Sequence, residues 1–523
     1  MKRTTTLLAL VALVAAFLAL QSFQPAAKPR ATRPHDANQH VSQVLTGQHG
    51  APNGGRRVKT AGECSGAHAD SPTAKAAGAG DSRTPGDNAP RPDSSNGGAG
   101  ATPASPESDD APSVNEPEPP AEPQLTPEEK ELKRKREGRA SLNWLRDHQS
   151  EDGRWSACEF GAASARKDAR HTHNVEFFAP GLSWGDQGQT PVNDLVVTAL
   201  VLLANVGTGY DHKEGEYKES MRRAIKWLRS QQDESGRFGP EYDSAFLPTH
   251  ALCTAAMTEC YGISDDAALK KYCETAVAHL LTLQTKDSGF ARNPYGYGLD
   301  AEPDTATTAW SVLALKGARI AGIEFEMASV GNGVLAFLDS VTTVVRGTDD
   351  EVADVSTRLL VRGGDSPEGR AGGFISLNTL DAMNCNCRCM LATKDYDHKL
   401  CMALAKKGVV QPPTWEERSI DFVHWFFATS AAYQCLSWRP TGKNGRNADK
   451  GWADWEKKIA NVLLDNQRGF KPDELKTWPA MLDEFGSWDA VDAYSRQGGR
   501  VYTSAMAHLI LQIYYRYRRQ TKD

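Results

Sequence analysis

Hydrophobic positions along this chain fall into two kinds of segment. Six stretches are apolar on nearly every face: Asn193–Gly207, Leu247–Gly262, Pro303–Ala318, Asn378–Thr393, Phe422–Ser437 and Gly499–Arg516. Between them run amphipathic segments that end in Gln, such as Trp227-Leu228-Arg229-Ser230-Gln231-Gln232. A helix apolar all round must be buried on most faces, whereas an amphipathic one covers a single side of a core. Six alternating pairs therefore predict two concentric layers, with apolar helices inside and amphipathic helices outside.

The amphipathic segments repeat. Gln149 is followed by Gly153 and Trp155, Gln232 by Gly236 and Phe238, and Gln284 by Gly289 and Phe290. A worn copy runs from Gln467 through an insertion to Gly486 and Trp488. Self-similarity at spacings of about 45–75 residues marks a stacked architecture. An open array needs a polar final cap, yet the last unit, Arg500-Val501-Tyr502-Thr503, is as apolar as the middle ones, so closure into a ring is predicted. Five inner segments also carry a Thr followed by Ala or Ser, at Thr198, Thr254, Thr308, Thr429 and Thr503.

Composition changes the picture at the N-terminus. Of 28 Pro, 14 fall between Pro29 and Pro123, while all 12 Trp lie at or after Trp144. A segment without aromatic residues buries too little apolar area to offset its ordering entropy, so 28–125 reads as a disordered linker. Met1-Lys2-Arg3 and the apolar run Leu7–Leu20 form a secretory signal pattern, short for a membrane-spanning helix. Residues 1–27 are thus a cleaved signal or a signal anchor. The protein is expected to be exported (periplasmic, envelope-associated or secreted), with a membrane tether through this run if it is not cleaved. Thr126-Pro127-Glu128-Glu129 has the form of a capping box and opens the folded domain, 126–523. A net charge of −6 and no long basic run exclude a nucleic-acid protein.

The Gln…Gly…aromatic repeats resemble the QW repeats of squalene and hopene cyclases. With Asp304-Thr305-Ala306, the chain resembles the prenyltransferase and squalene-cyclase repeat superfamily over about 126–523, and within it the exported cyclase-like proteins of unassigned activity. The resemblance implies an all-α fold, an (α/α)6 toroid with an inner ring of parallel helices. It also implies an isoprenoid or lipid ligand. Two of the superfamily's chemistries can be checked against the residues. Cyclases protonate an alkene from an Asp-x-Asp-Asp-Thr-Ala motif, but here the chain reads Ala301-Glu302-Pro303-Asp304-Thr305-Ala306. Pro303 stands where the acid belongs and carries no proton. Protein prenyltransferases hold zinc with Asp-x-Cys and Tyr-His-Thr, against which Met383 and Tyr502 replace two of three ligands. That site reads as lost, and no cofactor is implied.

The remaining candidates each have two readings. Asp194, His250 and Asp304 stand four residues before a repeated Thr, with Asp381 in a similar place. Repeats in register put them on one rim, as acid–base chemistry requires. Carboxylates at helix N-termini also cap backbone N–H groups. Trp310, His424, Trp425 and Tyr502, with Tyr494, either line a cavity, where aromatic faces stabilise cations and apolar ligands, or fill the core. The repeat residues Gln149, Trp155, Gln232, Phe238, Gln284, Phe290, Gln467 and Trp488 read as structural staples. Cys385 and Cys389 share a helix face and could act together, with Asp381 or as a redox pair, while Cys387 points elsewhere. Alternate positions on one helix give poor metal geometry and buried Cys is common, so no metal site is assigned. The insertions Gly347–Gly373 and Pro440–Lys450 are candidate loops or lids.

Three functions stay open. The first is an isoprenoid- or lipid-handling toroid, either an unconventional enzyme or a binder, with a deep cavity lined by Trp, Tyr and Phe. The second is a catalytically silent envelope scaffold with a central channel plugged by side chains. The third is a carbohydrate-active (α/α)6 barrel, with a wide polar groove and two carboxylates about 5–10 Å apart.

Overall fold

The computed structural model describes residues 138–165, 174–176, 183–185, 188, 193–286, 288–361, 375–391, 397–416, 419–437, 439–441, 445–447, 450–470 and 483–516. The signal, the linker and the Thr126 capping box lie outside these residues. Among them are thirteen helices: α1 (138–147), α2 (Phe160–Ala163), α3 (Asp194–Thr208), α4 (Lys218–Gln231), α5 (Phe246–Ser264), α6 (Ala267–Thr282), α7 (Thr305–Ile320), α8 (Met327–Val341), α9 (Leu377–Leu391), α10 (His398–Gly408), α11 (Phe422–Cys435), α12 (Lys450–Asp465) and α13 (Ser495–Arg516).

The six segments apolar all round became α3, α5, α7, α9, α11 and α13. Each packs on the next, and α13 packs back on α3, so the inner ring is closed. The outer helices α6, α8, α10 and α12 each lie in the groove between two inner helices, and α4 packs on α3. The whole is the (α/α)6 toroid, with its inner helices parallel because each hairpin reverses the chain twice.

Inner helices are buried along their length, as their composition demands. Val196–Ala204 of α3, Ala251–Met257 of α5 and Val501–Ala507 of α13 expose no surface at all. Small residues at these positions let the helices approach closely. The outer helices bury one stripe only, as in α4, where Met221, Ala224, Ile225 and Leu228 face inward and Arg222 and Lys226 face water.

The repeats form the seams between units. Each repeat Gln crosses its own loop: Gln149 Nε2 donates to Gly153 O at 2.8 Å, Gln232 to Gly236 O at 3.0 Å, Gln284 to Ser288 O at 2.9 Å and Gln467 to Gly486 O at 2.8 Å. Three of them also reach a carbonyl of the following outer helix, at Ser220, Tyr272 and Val330. Trp155 and Trp488 return their indole N–H to the end of the preceding outer helix, at Leu145 O (2.6 Å) and Leu463 O (2.7 Å). Gly236 and Gly486 have positive φ, 90° and 91°. A Cβ there would stand 2.3 Å from Thr275 O and 2.4 Å from Ala140 O. Only Gly allows that backbone to abut the next helix.

Gly486 meets α1, so the last repeat docks on the first. Three further contacts tighten this join. His508 of α13 binds Ser141 Oγ at 2.6 Å and Thr208 Oγ1 at 3.0 Å. Gln512 donates to Ala204 O at 2.7 Å. His148, directly after α1, lies 2.9 Å from Asp483, whose carbonyl accepts the Trp144 indole N–H.

Of the two expected loops, Gly347–Gly373 is partly regular. Strands β1 (Thr342–Arg346) and β2 (Val352–Thr357) pair antiparallel, and Asn384 of α9 ties them down through Thr342 and Thr357. The chain beyond them covers the start of α7, where Thr305 N–H donates to Leu359 O at 2.9 Å. In Pro440–Lys450, strands β3 (Arg439–Thr441) and β4 (Gly445–Asn447) pair in the same way. No helix among the described residues is long and apolar enough to cross a membrane.

Candidate functional site

Because the inner helices are parallel, their N-termini converge on one rim. Each aromatic of the repeat docks there through its backbone N–H: Trp155 on Thr198 Oγ1 (2.9 Å), Phe290 on Thr308 Oγ1 (2.9 Å), Trp488 on Ser504 Oγ (3.1 Å) and Phe238 on His250 Nδ1 (3.2 Å). This corrects the expected register. His250 occupies the position of Thr198 and Thr308, one turn deeper than Asp194 and Asp304, and Phe246 takes the rim position in its unit. The last unit is shifted as well, with Ser504 rather than Thr503 as acceptor.

His250 is fixed as a neutral ring. Its Nδ1 accepts from Phe238, so Nε2 carries the proton and donates to Ala276 O at 3.1 Å. Burial, reinforced by His279, lowers its pKa to about 3. Asp194 accepts Ala157 N–H at 2.8 Å and faces Arg154 Nε at 2.9 Å. Asp304 caps α7 by accepting Thr307 N–H at 2.7 Å. Burial raises both carboxyls to about 6 against these favourable contacts. Asp381 is raised to about 7 by burial and meets Thr357 of the hairpin; its Oδ1 has no partner among the described residues.

The expected cavity residues are packed. Trp310 is 0%, Trp425 1%, Tyr502 0% and His424 8% exposed. Trp310 of α7 meets Phe427 of α11 with ring centroids 4.6 Å apart, and these helices are not neighbours in the ring. Their side chains therefore cross its interior. His424 binds Thr379 Oγ1 at 3.1 Å, and burial lowers it to about 4. Two cavities lie elsewhere. One of about 590 Å³ between α8 and the hairpin segment is lined by Lys286, Glu302, Phe337 and Val361. One of about 150 Å³ adjoins His148 and Asp483.

A different cluster sits where α11 begins. Asp421 is its N-cap, accepts His424 N–H at 2.8 Å and is partly exposed. Asp492, buried in the loop before α13, accepts Ser495 N–H at 2.8 Å, the Ser495 hydroxyl, Tyr502 O–H at 3.3 Å and Phe422 N–H at 3.4 Å. Burial first, then the mutual repulsion of the two carboxyls, pushes Asp421 up to about 7, while burial pushes Asp492 to about 6. Tyr494 stands in the field of both acids, and its Oη has no partner among the described residues. Trp415, Phe422 and Trp425 pack together beside Asp421, with centroids 5.4–6.3 Å apart. Two carboxyls whose pKa values burial brings towards neutrality have the chemistry an acid–base pair needs, here beside an aromatic wall. The sequence signal for Asp421 was an Asp directly before an apolar run; alignment on the repeated Thr passes over it, since Trp425 lies four residues before Thr429.

No family model matches the chain. A squalene–hopene cyclase from Zymomonas mobilis is 28% identical over 185 residues, which is 34% of this chain and 25% of that enzyme. The match therefore spans about a quarter of the cyclase's own length. Among solved structures, the type II terpene cyclase MstE from Scytonema aligns at 12% identity over 73% of this chain and 98% of its own, with a TM-score of 0.39. The GH76A α-1,6-mannanase from Salegentibacter sp. HEL1_6 aligns at 9% identity over 73% and 100%, with a TM-score of 0.41. In its repeats, its double ring of helices and this stretch of cyclase-like sequence, the chain is similar to the terpenoid cyclases.

Proposed function

We propose that this protein is a cyclase-like toroid that handles an isoprenoid or other apolar ligand, with Asp421 and Asp492 as its proton-donating pair. The observation that carries this reading is the cluster at the start of α11: two carboxyls with raised pKa, two tyrosines and an aromatic wall. One carboxyl of such a pair holds a proton near pH 6–7, and its partner takes the negative charge when that proton leaves. Aromatic faces then stabilise the cation formed on a protonated alkene. Asp421, partly exposed, meets the ligand; Asp492 and Tyr502 hold it in place. Asp304, Asp194 and Asp381 act in this reading as rim groups that shape the mouth. A carbohydrate substrate fits less well, because three aromatic rings, Trp415, Phe422 and Trp425, pack together where α11 begins after Asp421.

The experiment uses the full chain. Lipids extracted from the purified protein are identified by mass spectrometry, and linear polyenes and prenyl alcohols are incubated with wild type, Asp421→Asn and Asp492→Asn. A bound isoprenoid, and a conversion lost in both variants while binding persists, supports the reading. An empty protein that neither binds nor converts these probes overturns it. One observation favours the scaffold as a second reading: Trp310, Trp425 and Tyr502, the side chains expected to line a cavity, are buried. On either reading the N-terminal apolar run exports the ring and, if uncleaved, tethers it to the membrane. Fractionation and N-terminal sequencing of the mature protein test that separately.

A further inference from the structure

Opposite the acid rim, the C-terminal ends of α9, α11 and the start of α10 bring cysteines together. Cys385 and Cys389 lie one turn apart on α9, and α11 ends at Cys435. Cys435 Sγ is 3.5 Å from the sulfur of Cys385 and 3.5 Å from that of Cys389, and all three sulfurs lie within 4.8 Å of one another. The Cys385 thiol also reaches Cys401 O of α10 at 3.3 Å and meets the Cys401 thiol. Cys435 is the member that spacing along one helix cannot supply, and Asp381 is not part of the group.

We propose that Cys385, Cys389 and Cys435 bind one thiophilic d10 metal ion, of which Zn2+ is the type, with Cys401 as the adjacent fourth sulfur. A tetrahedral zinc with bonds of about 2.3 Å places its sulfurs roughly 3.8 Å apart, close to the spacing here. A disulfide needs about 2.05 Å, far shorter than any of these separations. The three ligands come from α9 and α11, with Cys401 of α10 beside them, which gives the convergent geometry that alternate positions on one helix lack. Carbonyl-bearing C-terminal ends of α9 and α11 favour a cation. Arg388, the nearest basic side chain on α9, is engaged by Asp339 at 2.6 Å and Asn384 at 2.8 Å, so it does not occupy the place of the ion. Cys389 is half-buried and gives a way in from solvent; Cys385 and Cys435 are buried. Thiol ligands lose their protons to the metal, so binding releases protons and strengthens as pH rises.

The test is titration of the reduced full chain with Cd2+ under anaerobic conditions, read by the sulfur-to-cadmium charge-transfer absorption, followed by displacement with Zn2+. The expected result is saturation at one equivalent, loss of the band in Cys435→Ser and Cys389→Ala, and retention in Cys387→Ala on the same helix. Cd2+ should raise the melting temperature of wild type and not that of Cys389→Ala. Because Cys389 is half-buried, that variant folds even if Cys435→Ser does not. Absence of a one-equivalent band, a band equally strong in Cys389→Ala, or a Cys435 disulfide in non-reducing peptide maps of the purified protein overturns the proposal. None of these readouts depends on the activity proposed for the opposite rim.

Discussion

Replacing Asp304 by Asn asks whether a rim acid is there for stability. The carboxyl is buried, caps α7 through Thr307 N–H and has its pKa raised from 3.8 to about 6. A folded value above the unfolded one means that the native state binds the proton more tightly. The stability this contributes is complete below about pH 4 and is lost as pH rises through about 6. A shift of roughly two units corresponds to about 3 kcal/mol at 1.36 kcal/mol per unit. Asn keeps the oxygen that accepts Thr307 N–H and is an equally good N-cap, but it does not titrate. Asp304→Asn should therefore match wild type near pH 4 and exceed it by up to about 3 kcal/mol at pH 8. For a ring of roughly 380 residues unfolding as a unit, that is a difference of about 4 °C in Tm. The assay is thermal unfolding of both proteins from pH 4 to 8. Asp194, Asp381, Asp421 and Asp492 titrate in both proteins, so the difference isolates Asp304. Parallel curves, or a variant less stable at pH 8, would refute the reasoning and show that the capping carboxylate stabilises α7 as an anion.

Other predictions probe the seams and the acid pair. Gly486→Ala should cost roughly 2–5 kcal/mol in urea unfolding, combining positive φ with the clash on Ala140 O, whereas Gly209→Ala, also at positive φ but facing open space, should cost only about 1–2 kcal/mol. Trp155→Phe and Trp488→Phe each strip the partner from one buried carbonyl, at Leu145 and Leu463, and should each cost about 1–3 kcal/mol; equal stability to wild type would show that the indole N–H is dispensable. Asp492→Asn should raise stability at pH 8 relative to wild type, by the same sign argument as for Asp304, while abolishing any conversion of a polyene. An unchanged conversion rate would remove Asp492 from the chemistry.

The inner ring was legible because burial on every face leaves a compositional trace. Asp194–Thr208 is called by its own apolar residues to within a residue or two. The Gln and aromatic staples were legible because they recur. Register was not. His250 and Thr198 both accept one backbone N–H, so an acceptor at that depth can be imidazole or hydroxyl, and aligning Thr with Thr puts His250 a turn too far out. The proposed acid pair was hidden for a related reason. Asp421 belongs to a helix start and Asp492 to a non-repeating loop, and only tertiary packing brings them together. Cys435 lies 46 residues from Cys389 on another helix, so no spacing pattern connects them.

Parallel packing of the inner helices explains why the two candidate sites lie at opposite ends. Six N-termini point their unpaired N–H groups at one rim and six C-termini point carbonyls at the other. The N-terminal rim suits anions, yet its five buried or half-buried Asp side chains have their pKa raised to about 6 or 7, because desolvation outweighs the helix ends. A group in that balance gives up its proton when a nearby cation or solvent restores the favour for charge, which is the behaviour of a general acid and a poor arrangement for a stabilising cap. The stability curve of Asp304→Asn therefore bears on function as well. If the amide is more stable at pH 8, the ring carries its rim carboxyls at the expense of its own stability, as a binding or reacting site does and an inert scaffold has no cause to do.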